Sequence, residues 1–523
     1  MNIRSVLEEK VRTRENDVFL VFHDDIYTYG EFNAAVNRVA NSLSRLGISK
    51  GDRVGGFMPN CLEWLVLYFA IAKLGAASVF VNTQYDSELL EHSLNASRVK
   101  AVLVSSSLFA TYEKIRGNLK KVGPEILIND KENKSIQKGS HTIPYKDLLS
   151  GSSDLPADPG IPGGTPLAFF YTSGTSGLPK PCVTSHNYIL ALAARVARIL
   201  KATPDDRVLS CLPNYHVNVY IGIFTALMAG SVAVVEERFS ASNYWNWVRK
   251  HEATILTLHI APVNILLNQS PRPDDADNPA RAGILLVGES ATPFVNRFGL
   301  STGLVVYGST EAGGFSTMGT FGPGSKHDPK WTGCPRDDVE VKILDENDEE
   351  VPPGTLGEIV IRDKVPHTIF SGYFNLPEKT AQACRNFWYH SGDSGYIDKE
   401  GSLYFLGRTE ESIRVKGDFI PVDKLEACIR SNPKIRECAA IGVPSDIGEE
   451  DIMVYIQLKE NVSSTPEEII TYCEDRLPKF AVPRYIGFVE EFPTAALYKV
   501  QKAKLKERGI VGAWDRLAVK SKS

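Results

Sequence analysis

The sequence predicts an α/β protein with more than one domain, and two observations lead to this prediction. The chain has 523 residues, of which 43% are hydrophobic, and a single core rarely extends over such a length. Within the first 160 residues, a helical stretch at 31–46 alternates with short apolar, β-branched runs at 77–81 and 101–104. Because this alternation is typical of parallel strands joined by helices, we expect stacked layers of sheet and helix.

The later segments predict the remaining parts of the fold. Residues 151–164 (GSSDLPADPGIPGG) are rich in Gly, Pro, Ser and Asp, so we expect an exposed connection that leads into a strand at 167–171. Between residues 339 and 363, the strands VEVKIL and GEIVIR flank a turn-forming stretch, which indicates a β-rich subdomain. After residue 407, strands, helices and charged stretches mix as in a separate α+β domain. We therefore predict a large N-terminal domain at 1–410 and a smaller C-terminal domain at 411–523.

Composition and charge exclude several classes of function. The net charge of −5 leaves no basic surplus for binding nucleic acid, so small molecules are the expected partners. The first residues are charged, and no uninterrupted run of about 20 apolar residues occurs, so we expect no membrane span and a cytoplasmic location. The eight cysteines are scattered without the close pairs of a zinc or redox site, and we expect them to be reduced and mostly packed.

The segment TSGTSGLPK, Thr172 to Lys180, carries the strongest chemical signal. It follows an apolar strand, and its small residues let backbone N–H groups converge on an anion, while the hydroxyls and the closing Lys add donors and positive charge. Composition alone also fits a flexible surface turn, and the GK[ST] signature of a Walker A loop does not occur here. The order of the residues favours phosphate binding.

Together with two later motifs, this segment resembles the acyl-adenylate-forming superfamily of acyl-CoA synthetases, adenylation domains and luciferases. YTSGTSGLPK is similar to the family's phosphate loop, YGSTEAGG at 307–314 to its nucleotide and magnesium segment, and YHSGDSGYID at 389–398 to its ribose segment. The three occur in the family's order, and the resemblance covers nearly the whole chain. The PNYHVN and FSASNYW stretches are most similar to small-acid CoA ligases of the carnitine/crotonobetaine type.

The resemblance implies an acid–thiol ligase that uses ATP, Mg²⁺ and coenzyme A. Such an enzyme joins a small carboxylic acid to AMP with release of pyrophosphate, and then transfers the acyl group to coenzyme A. Other acceptors stay open, namely the thiol of a separate carrier protein, an amine or another nucleophile. A nucleotide-binding homologue without ligase activity is a further alternative.

The resemblance also assigns the residues that bind ATP and the metal. Around the phosphates and the adenine, they are Thr172, Ser173, Gly174, Thr175, Ser176, Gly177, Lys180, Gly288, Tyr307, Gly308 and Thr310. Glu311, with Thr172, would hold Mg²⁺, which neutralises charge in phosphate chemistry. Asp393 and Arg408 would bind the ribose, because a carboxylate can accept from both ribose hydroxyls. The alternatives are a solvated carboxylate for Glu311 and a surface ion pair for Asp393 and Arg408.

The acid-binding site is expected around the PNYHVN stretch. The resemblance implies that His216 flanks the bound carboxylate and gates access for the second substrate, although a lone His is more often a structural residue. Asn218 would offer a polar group to the acid. Val217, Val219 and Ile221 would form an apolar wall beside it.

The C-terminal domain is expected to supply different residues to the two half-reactions. By resemblance, Lys499 would pair with the reacting carboxylate during adenylation. Lys416 and Gly417 would face the active site during thioester formation, after the domain rotates about a hinge at Glu411. The alternative for this stretch is a plain charged strand-turn-strand.

The chain departs from the family pattern at three places near these residues. Tyr498 precedes Lys499 where the family has Gly, and Ala495 replaces the customary Thr. Because Gly permits backbone geometry that Tyr resists, these two changes leave an inactive C-terminal domain as an alternative. Pro181 follows the phosphate-loop Lys where Gly is common, and Pro has no N–H to donate.

Overall fold

The computed structural model describes residues 1–120, 122–128, 142–172, 178–258, 260–285, 289–326, 328–408, 412–415, 418–445, 450–477, 481–493 and 500–520. The strands of these ranges are Val18–Phe22 (β1), Asp25–Thr28 (β2), Arg53–Phe57 (β3), Ala77–Phe80 (β4), Ala101–Ser105 (β5), Glu125–Ile128 (β6), Thr142–Pro144 (β7), Pro166–Thr172 (β8), Lys180–Ser185 (β9), Arg207–Ser210 (β10), Val232–Val235 (β11), Ile255–Thr257 (β12), Ala282–Ile284 (β13), Thr302–Tyr307 (β14), Thr317–Phe321 (β15), Cys334–Pro335 (β16), Val339–Leu344 (β17), Gly357–Asp363 (β18), Cys384–Arg385 (β19), Trp388–Ile397 (β20), Leu403–Arg408 (β21), Ser412–Val415 (β22), Asp418–Pro421 (β23), Ile435–Pro444 (β24), Glu450–Leu458 (β25), Tyr485–Phe488 (β26) and Trp514–Asp515 (β27). The α-helices are Ile3–Arg14 (α1), Tyr29–Arg45 (α2), Leu62–Lys73 (α3), Ser87–Ala96 (α4), Phe109–Glu113 (α5), Tyr145–Leu148 (α6), His186–Ile199 (α7), Val217–Ala229 (α8), Tyr244–Lys250 (α9), Ile260–Leu267 (α10), Ala291–Phe298 (α11), Pro377–Ala383 (α12), Val422–Arg430 (α13), Pro466–Glu474 (α14), Lys502–Arg508 (α15) and Arg516–Lys520 (α16).

Two large sheets contain most of the strands in the first 340 residues. One has the order β16-β15-β14-β13-β12-β10-β11-β1-β2, and the other has the order β7-β6-β5-β3-β4-β8-β9. Strands β14, β13, β12, β10, β11 and β1 are parallel neighbours, and so are those from β7 to β8. The predicted α/β class with parallel strands is confirmed.

The later strands form smaller sheets. One has the order β17-β18-β20-β19 with β21 paired to β20, another contains β22 and β23, and a third has the order β24-β25-β26-β27. The strands predicted from VEVKIL and GEIVIR are β17 and β18, which confirms the β-rich subdomain. The last sheet lies among helices such as α13 and α14, as expected for an α+β domain.

The chain divides into two compact units. The larger unit contains Met1–Lys342, Val360–Ser391 and Ile397–Tyr404, and the smaller contains Ile343–Ile359, Gly392–Tyr396 and Phe405–Ser523. The division predicted after residue 410 stays a prediction, because compactness alone does not identify the part that moves. Within the described ranges, no helix is long and apolar enough to cross a membrane. All eight cysteines are free thiols, and four of them (Cys182, Cys211, Cys438 and Cys473) are buried.

Helices α3 and α8 form the centre of the main apolar core of the larger unit. Both are apolar on nearly every face, as expected for helices buried on all sides. The Tyr68 and Tyr220 rings stack with centroids 4.3 Å apart. The Trp64 Nε1–H donates to the Tyr220 hydroxyl (3.0 Å), which donates to the carbonyl of Asn214 (2.8 Å). These bonds fix the loop that leads into α8.

The connection at 151–164 is mostly exposed, as the sequence predicts, but side chains from two helices bind its backbone. It has no helix or strand, so its carbonyl groups lack regular partners, and side chains from α1 and α2 supply them. The Arg4 guanidinium donates to the carbonyls of Pro156 (2.7 Å) and Ala157 (3.0 Å), and the Asn37 amide donates to that of Ser153 (3.0 Å). The connection is therefore bound to the helices, although most of its residues are exposed.

The His186 side chain, at the start of α7, is wholly buried and accepts a hydrogen bond at Nδ1 from the Ile3 N–H (3.2 Å). Burial lowers its pKa to about 3, from an ordinary value near 6.5. The folded protein keeps this ring neutral, whereas the unfolded chain takes up a proton as the pH falls through about 6.5. Stability is therefore complete above about pH 6.5 and is lost progressively between there and about pH 3.

We expect His186→Asn to remove this dependence, because the amide oxygen still accepts from the Ile3 N–H and does not titrate. Between about pH 7.5 and about pH 5.5, the parent should lose about 1.4 kcal/mol more unfolding free energy than the variant. Urea unfolding at both pH values measures this difference, with His367→Asn at an exposed position as the control. Equal losses in parent and His186→Asn would contradict the prediction.

The turn between β19 and β20 holds a strained aromatic residue. Asn386 and Phe387 have φ of +52° and +64°, and Phe387 is 94% exposed, so no packing compensates its left-handed backbone. We expect Phe387→Gly to raise the unfolding free energy by about 0.5–1 kcal/mol. Asn386→Gly is the matched control and should change little, because Asn tolerates this conformation. Thermal unfolding of the three proteins tests this, and a destabilised Phe387→Gly variant would contradict it.

Candidate active site

Two of the predicted motifs follow strands whose carboxyl ends lie at one edge of the nine-stranded sheet. Strands β10, β12, β13 and β14 are parallel, so the segments after them emerge at the same edge. His216 follows β10, and Gly308 to Gly314 follow β14. In open α/β sheets, ligands bind at this edge of the strands.

The loop between β14 and β15 is compact and depends on glycine. Tyr307, at the end of β14, is buried and accepts at its carbonyl from the Ser316 N–H (2.7 Å). The Gly314 N–H donates to the carbonyl of Ser309 (3.0 Å), and a Cβ on Gly308 would collide with the Gly314 carbonyl. The small residues of the motif therefore allow the loop to fold back on itself.

Within this loop, the Glu311 carboxylate is nearly buried, with the residue 7% exposed. Its Oε1 accepts hydrogen bonds from the Thr172 hydroxyl and from the Tyr373 hydroxyl, both at 2.9 Å. The Glu311 carbonyl accepts from the Phe370 N–H (3.1 Å). The Glu311 carboxylate is therefore not an ordinary solvated one. Thr172 and Glu311 lie together, and their role as metal ligands stays a prediction.

Tyr373 is a site residue that the sequence analysis missed. Its backbone belongs to a segment that pairs with β9, because the Val183 N–H donates to the Gly372 carbonyl (3.0 Å) and the Phe374 N–H to the Pro181 carbonyl (2.9 Å). Burial, reinforced by Glu311, raises the pKa of the Tyr373 hydroxyl, so it remains a donor. The sequence signal that could have indicated Tyr373 is an aromatic residue directly after a glycine. In the structure, this glycine, Gly372, has φ of +107°.

Lys180 also contacts Tyr373. Its Nζ lies 4.5 Å from the centroid of the tyrosine ring, within the range of a cation–π interaction. Lys180 begins β9, opposite Thr172 at the end of β8. The two ends of the predicted phosphate segment therefore meet beside Glu311, with Tyr373 between the carboxylate and the ammonium.

Pro181 has a structural explanation. It lies in β9, at the edge of the seven-stranded sheet, where a missing N–H is tolerated. Its carbonyl is used by the Phe374 N–H, as described above. This departure from the family pattern is thus compatible with the strand pairing that places Tyr373.

A hydrogen bond from Tyr188 fixes the backbone of Thr310. The wholly buried Tyr188 donates its hydroxyl proton to the Thr310 carbonyl (2.9 Å). Ser185 in turn caps the start of α7 by accepting from the Tyr188 N–H (3.0 Å). The backbone of Thr310 is therefore fixed to the buried helix α7.

His216 caps helix α8. Its Nδ1 accepts from the Asn218 N–H at 3.3 Å, which is the structural role weighed against a catalytic one. Val217, Val219 and Ile221 are buried in the main core. Their role as a wall for the acid, and that of His216 as a gate, stay predictions.

Asp393 and Arg408 belong to other parts of the chain. Asp393 lies on β20 in the smaller unit, after Gly392, whose N–H donates to Glu358 Oε1 (3.0 Å). Arg408 is the last residue of β21. Their ribose-binding role stays a prediction.

Several predicted residues lie outside the described ranges. They are Ser173, Gly174, Thr175, Ser176 and Gly177 of the phosphate loop, Gly288 of the adenine loop, Glu411, Lys416 and Gly417 of the hinge region, and Ala495, Tyr498 and Lys499 near the C-terminus.

The hydroxyls of Thr172 and Tyr373 share one carboxylate oxygen, and this sharing has a testable consequence. Hydrogen bonds to a charged group contribute about 1.5–3 kcal/mol each, so Thr172→Val and Tyr373→Phe should each lower the unfolding free energy by about that amount. The double variant should lose more than the sum, because Glu311 Oε1 then has neither donor. Urea unfolding of all four proteins measures the coupling, and strictly additive losses would contradict it.

Family models match most of the chain. The model described as AMP-binding enzyme matches residues 7–374, and the model described as AMP-binding enzyme C-terminal domain matches residues 424–499. The crotonobetaine/carnitine–CoA ligase of Salmonella arizonae is 30% identical over 522 residues, which are 97% of this chain and 99% of the relative. The ligase of the same name from Citrobacter koseri is 30% identical, with 97% and 99% covered.

Solved structures agree with the fold. An anthranilate CoA ligase, AuaEII, in complex with anthranoyl-AMP superposes with a TM-score of 0.84 over 97% of each chain, at 24% identity. The o-succinylbenzoate CoA synthetase of Bacillus subtilis in complex with ATP and a magnesium ion gives a TM-score of 0.81 at 25% identity, over 96% of this chain and 99% of that one.

Proposed function

The chain belongs to the AMP-binding enzymes, and from this premise we propose that it is an ATP-dependent, AMP-forming acid–thiol ligase. In the first step, a carboxylate oxygen of the acid attacks the α-phosphorus of ATP, and the bond to pyrophosphate breaks, which leaves an acyl-adenylate. In the second step, the sulfur of coenzyme A attacks the acyl carbon, the thiol proton is lost, and AMP leaves as the thioester forms.

The observation that carries this proposal is the anchored Glu311 carboxylate beside Lys180. Thr172 and Tyr373 hold one carboxylate oxygen, and oxygen donors of this kind suit Mg²⁺, which proteins often bind through one carboxylate together with nucleotide phosphates. Bound Mg²⁺ supplies neutralising charge for the phosphates. Lys180, on the other side of Tyr373, adds a second positive charge at the same place.

The remaining site residues are proposed from the motifs. The segment at 173–177 would enclose the phosphates with its backbone N–H groups, and Gly288 would pack against the adenine. Asp393 and Arg408 would hold the ribose. Lys499 would act in adenylation, and Lys416 and Gly417 in thioester formation.

We further propose that the acid is small and that the protein acts in the cytoplasm. Support for the size of the acid comes from the name shared by the curated relatives, crotonobetaine/carnitine–CoA ligase. Coenzyme A is the acceptor we favour for the same reason, and a separate carrier protein is the competing acceptor.

Pyrophosphate release tests the function. ATP, Mg²⁺ and a panel of acids are supplied with and without coenzyme A, and the panel includes crotonobetaine, carnitine, short aliphatic acids and aromatic acids. We expect release with particular small acids and an increase when coenzyme A is added. Release that coenzyme A leaves unchanged would favour another acceptor, and ATP binding without release from any acid would favour a homologue that lacks ligase activity.

Lys499→Ala separates the two half-reactions. Removing the ammonium should lower the adenylation rate by about 100-fold or more, because a cation that meets developing charge often contributes that much. Thioester formation from preformed acyl-adenylate should stay within about twofold of the parent, since the proposed second step does not use Lys499. Adenylation at the parental rate would contradict the assignment and would fit an altered loop at Tyr498.

A further inference from the structure

Arg336 is a buried cation that no sequence motif includes. It lies between β16 and β17, is 4% exposed, and donates its N–H to the carbonyl of Ser316 (3.0 Å). Burial lowers the pKa of its guanidinium to about 10, although Asp338 opposes this effect, so the group is charged near neutral pH. Because a buried charge is costly even when it is paired, its retention in this core needs an explanation.

The acidic partner of Arg336 balances its charge without satisfying its donors. Arg336 Nε lies 3.3 Å from Asp338 Oδ1, and Arg195 Nε lies 2.8 Å from the same oxygen. The contact of Arg336 with Asp338 lacks hydrogen-bond geometry, and Nε and Nη1 find no hydrogen-bond partner among the residues that the structure describes. Asp338 therefore holds the guanidinium by charge, and Nη2 donates to the Thr368 carbonyl (3.5 Å).

The other side of the guanidinium supports the turn that follows Glu311. Gly313 has φ of +83°, and a Cβ built on it would lie 2.8 Å from Arg336 Nη2 and 2.6 Å from the Thr368 carbonyl. Only glycine permits so close an approach in this backbone conformation. The backbone of the turn therefore rests directly on Arg336.

Tyr188 provides a second link between Arg336 and the loop. The Tyr188 hydroxyl donates to the Thr310 carbonyl, and Tyr188 lies near enough to Arg336 for each to influence the pKa of the other. Arg336 thus lies beside the Gly313 end of the segment Thr310–Gly313, and Tyr188 holds the Thr310 end. A displacement of the Arg336 side chain would disturb the backbone that follows Glu311.

We propose that Arg336 is a positioning residue for the binding of Mg²⁺ and ATP. It acts through Thr310 and Glu311 and is not itself a ligand of the metal. The proposal rests on the proposed function of this loop. The guanidinium, whose charge Asp338 neutralises, packs against the Gly313 turn and fixes its backbone. This contact keeps the Glu311 carboxylate and the Thr310 backbone in the positions that metal and phosphate binding require.

The test compares three variants of the full chain with the parent by calorimetric titration of Mg²⁺·ATP. Arg336→Met removes the guanidinium that packs against the Gly313 turn. It also removes one of the cations that pair with buried Asp338, so it should destabilise the protein. The double variant Arg336→Met, Asp338→Asn removes both charges and should recover the parental unfolding midpoint. In both variants we expect Mg²⁺·ATP to bind about 10- to 100-fold more weakly, as is usual when an outer support of a metal ligand is lost.

Arg198→Met is the matched control. Arg198 belongs to the same charge cluster, pairs with Asp337 at 3.0 Å, and has a side chain that is 69% exposed. Its loss removes one positive charge from the cluster, and we expect unchanged affinity for Mg²⁺·ATP.

Parental affinity in the double variant, once its stability is restored, would overturn the proposal. If the double variant fails to fold, Arg336→Lys tests the proposal instead, since Lys keeps the charge but has no planar group to pack against Gly313. Parental affinity of Arg336→Lys for Mg²⁺·ATP would also overturn the proposal. A parent that binds Mg²⁺·ATP but releases no pyrophosphate with any acid would refute the proposed function, while the binding comparison still decides the role of Arg336. A parent that does not bind Mg²⁺·ATP would overturn both.

Discussion

The site depends on one shared acceptor, Oε1 of Glu311. This oxygen accepts hydrogen bonds from two hydroxyl groups that belong to separate parts of the larger unit. Thr172 comes from the end of a strand in the seven-stranded sheet, and Tyr373 from a segment paired to that sheet's edge, while Glu311 itself follows a strand of the nine-stranded sheet. The bonds therefore tie the two sheets together at the point where chemistry is expected. A carboxylate in so little solvent is stable only with such donors, so the fold and the site constrain each other.

The supports of this carboxylate are rigid for different physical reasons. Below it, Tyr188 and Arg336 are buried side chains that contact backbone, and the glycines of the loop allow that contact. Beside it, β9 fixes the backbone of Tyr373 through regular strand hydrogen bonds. Helix α8, whose start is fixed by Trp64, Tyr220 and Asn214, packs against α7, which carries Tyr188. Preorganisation of this kind reduces the rearrangement that a charged ligand would demand on binding.

Much of this arrangement could be predicted from the sequence, because alternating periodicity and contiguous motifs are local properties. The α/β layers and the strands β17 and β18 follow from segments that can be recognised individually, and the resemblance of two motifs assigns Thr172 and Glu311 to one expected site. Tyr373 was missed because its bond to Glu311 joins residues 62 positions apart and requires the edge pairing with β9. The connection at 151–164 is exposed as predicted, but nothing near it in sequence indicates that Arg4 binds its carbonyls. The capping role of His216 likewise depends on backbone angles at the start of α8.

The segment that carries Tyr373 also covers the open edge of strand β9. An uncovered edge strand offers unpaired N–H and carbonyl groups to strands of other molecules, and proteins commonly protect such edges. Here the protection comes from Ser371, Gly372 and Phe374, whose backbone groups bond to Pro181 and Val183. Loosening this segment would therefore impair the site and expose a template for intermolecular strand pairing in the same event. Sequence change in this short stretch is constrained by solubility as well as by chemistry, and damage to it would appear as aggregation together with the loss of activity.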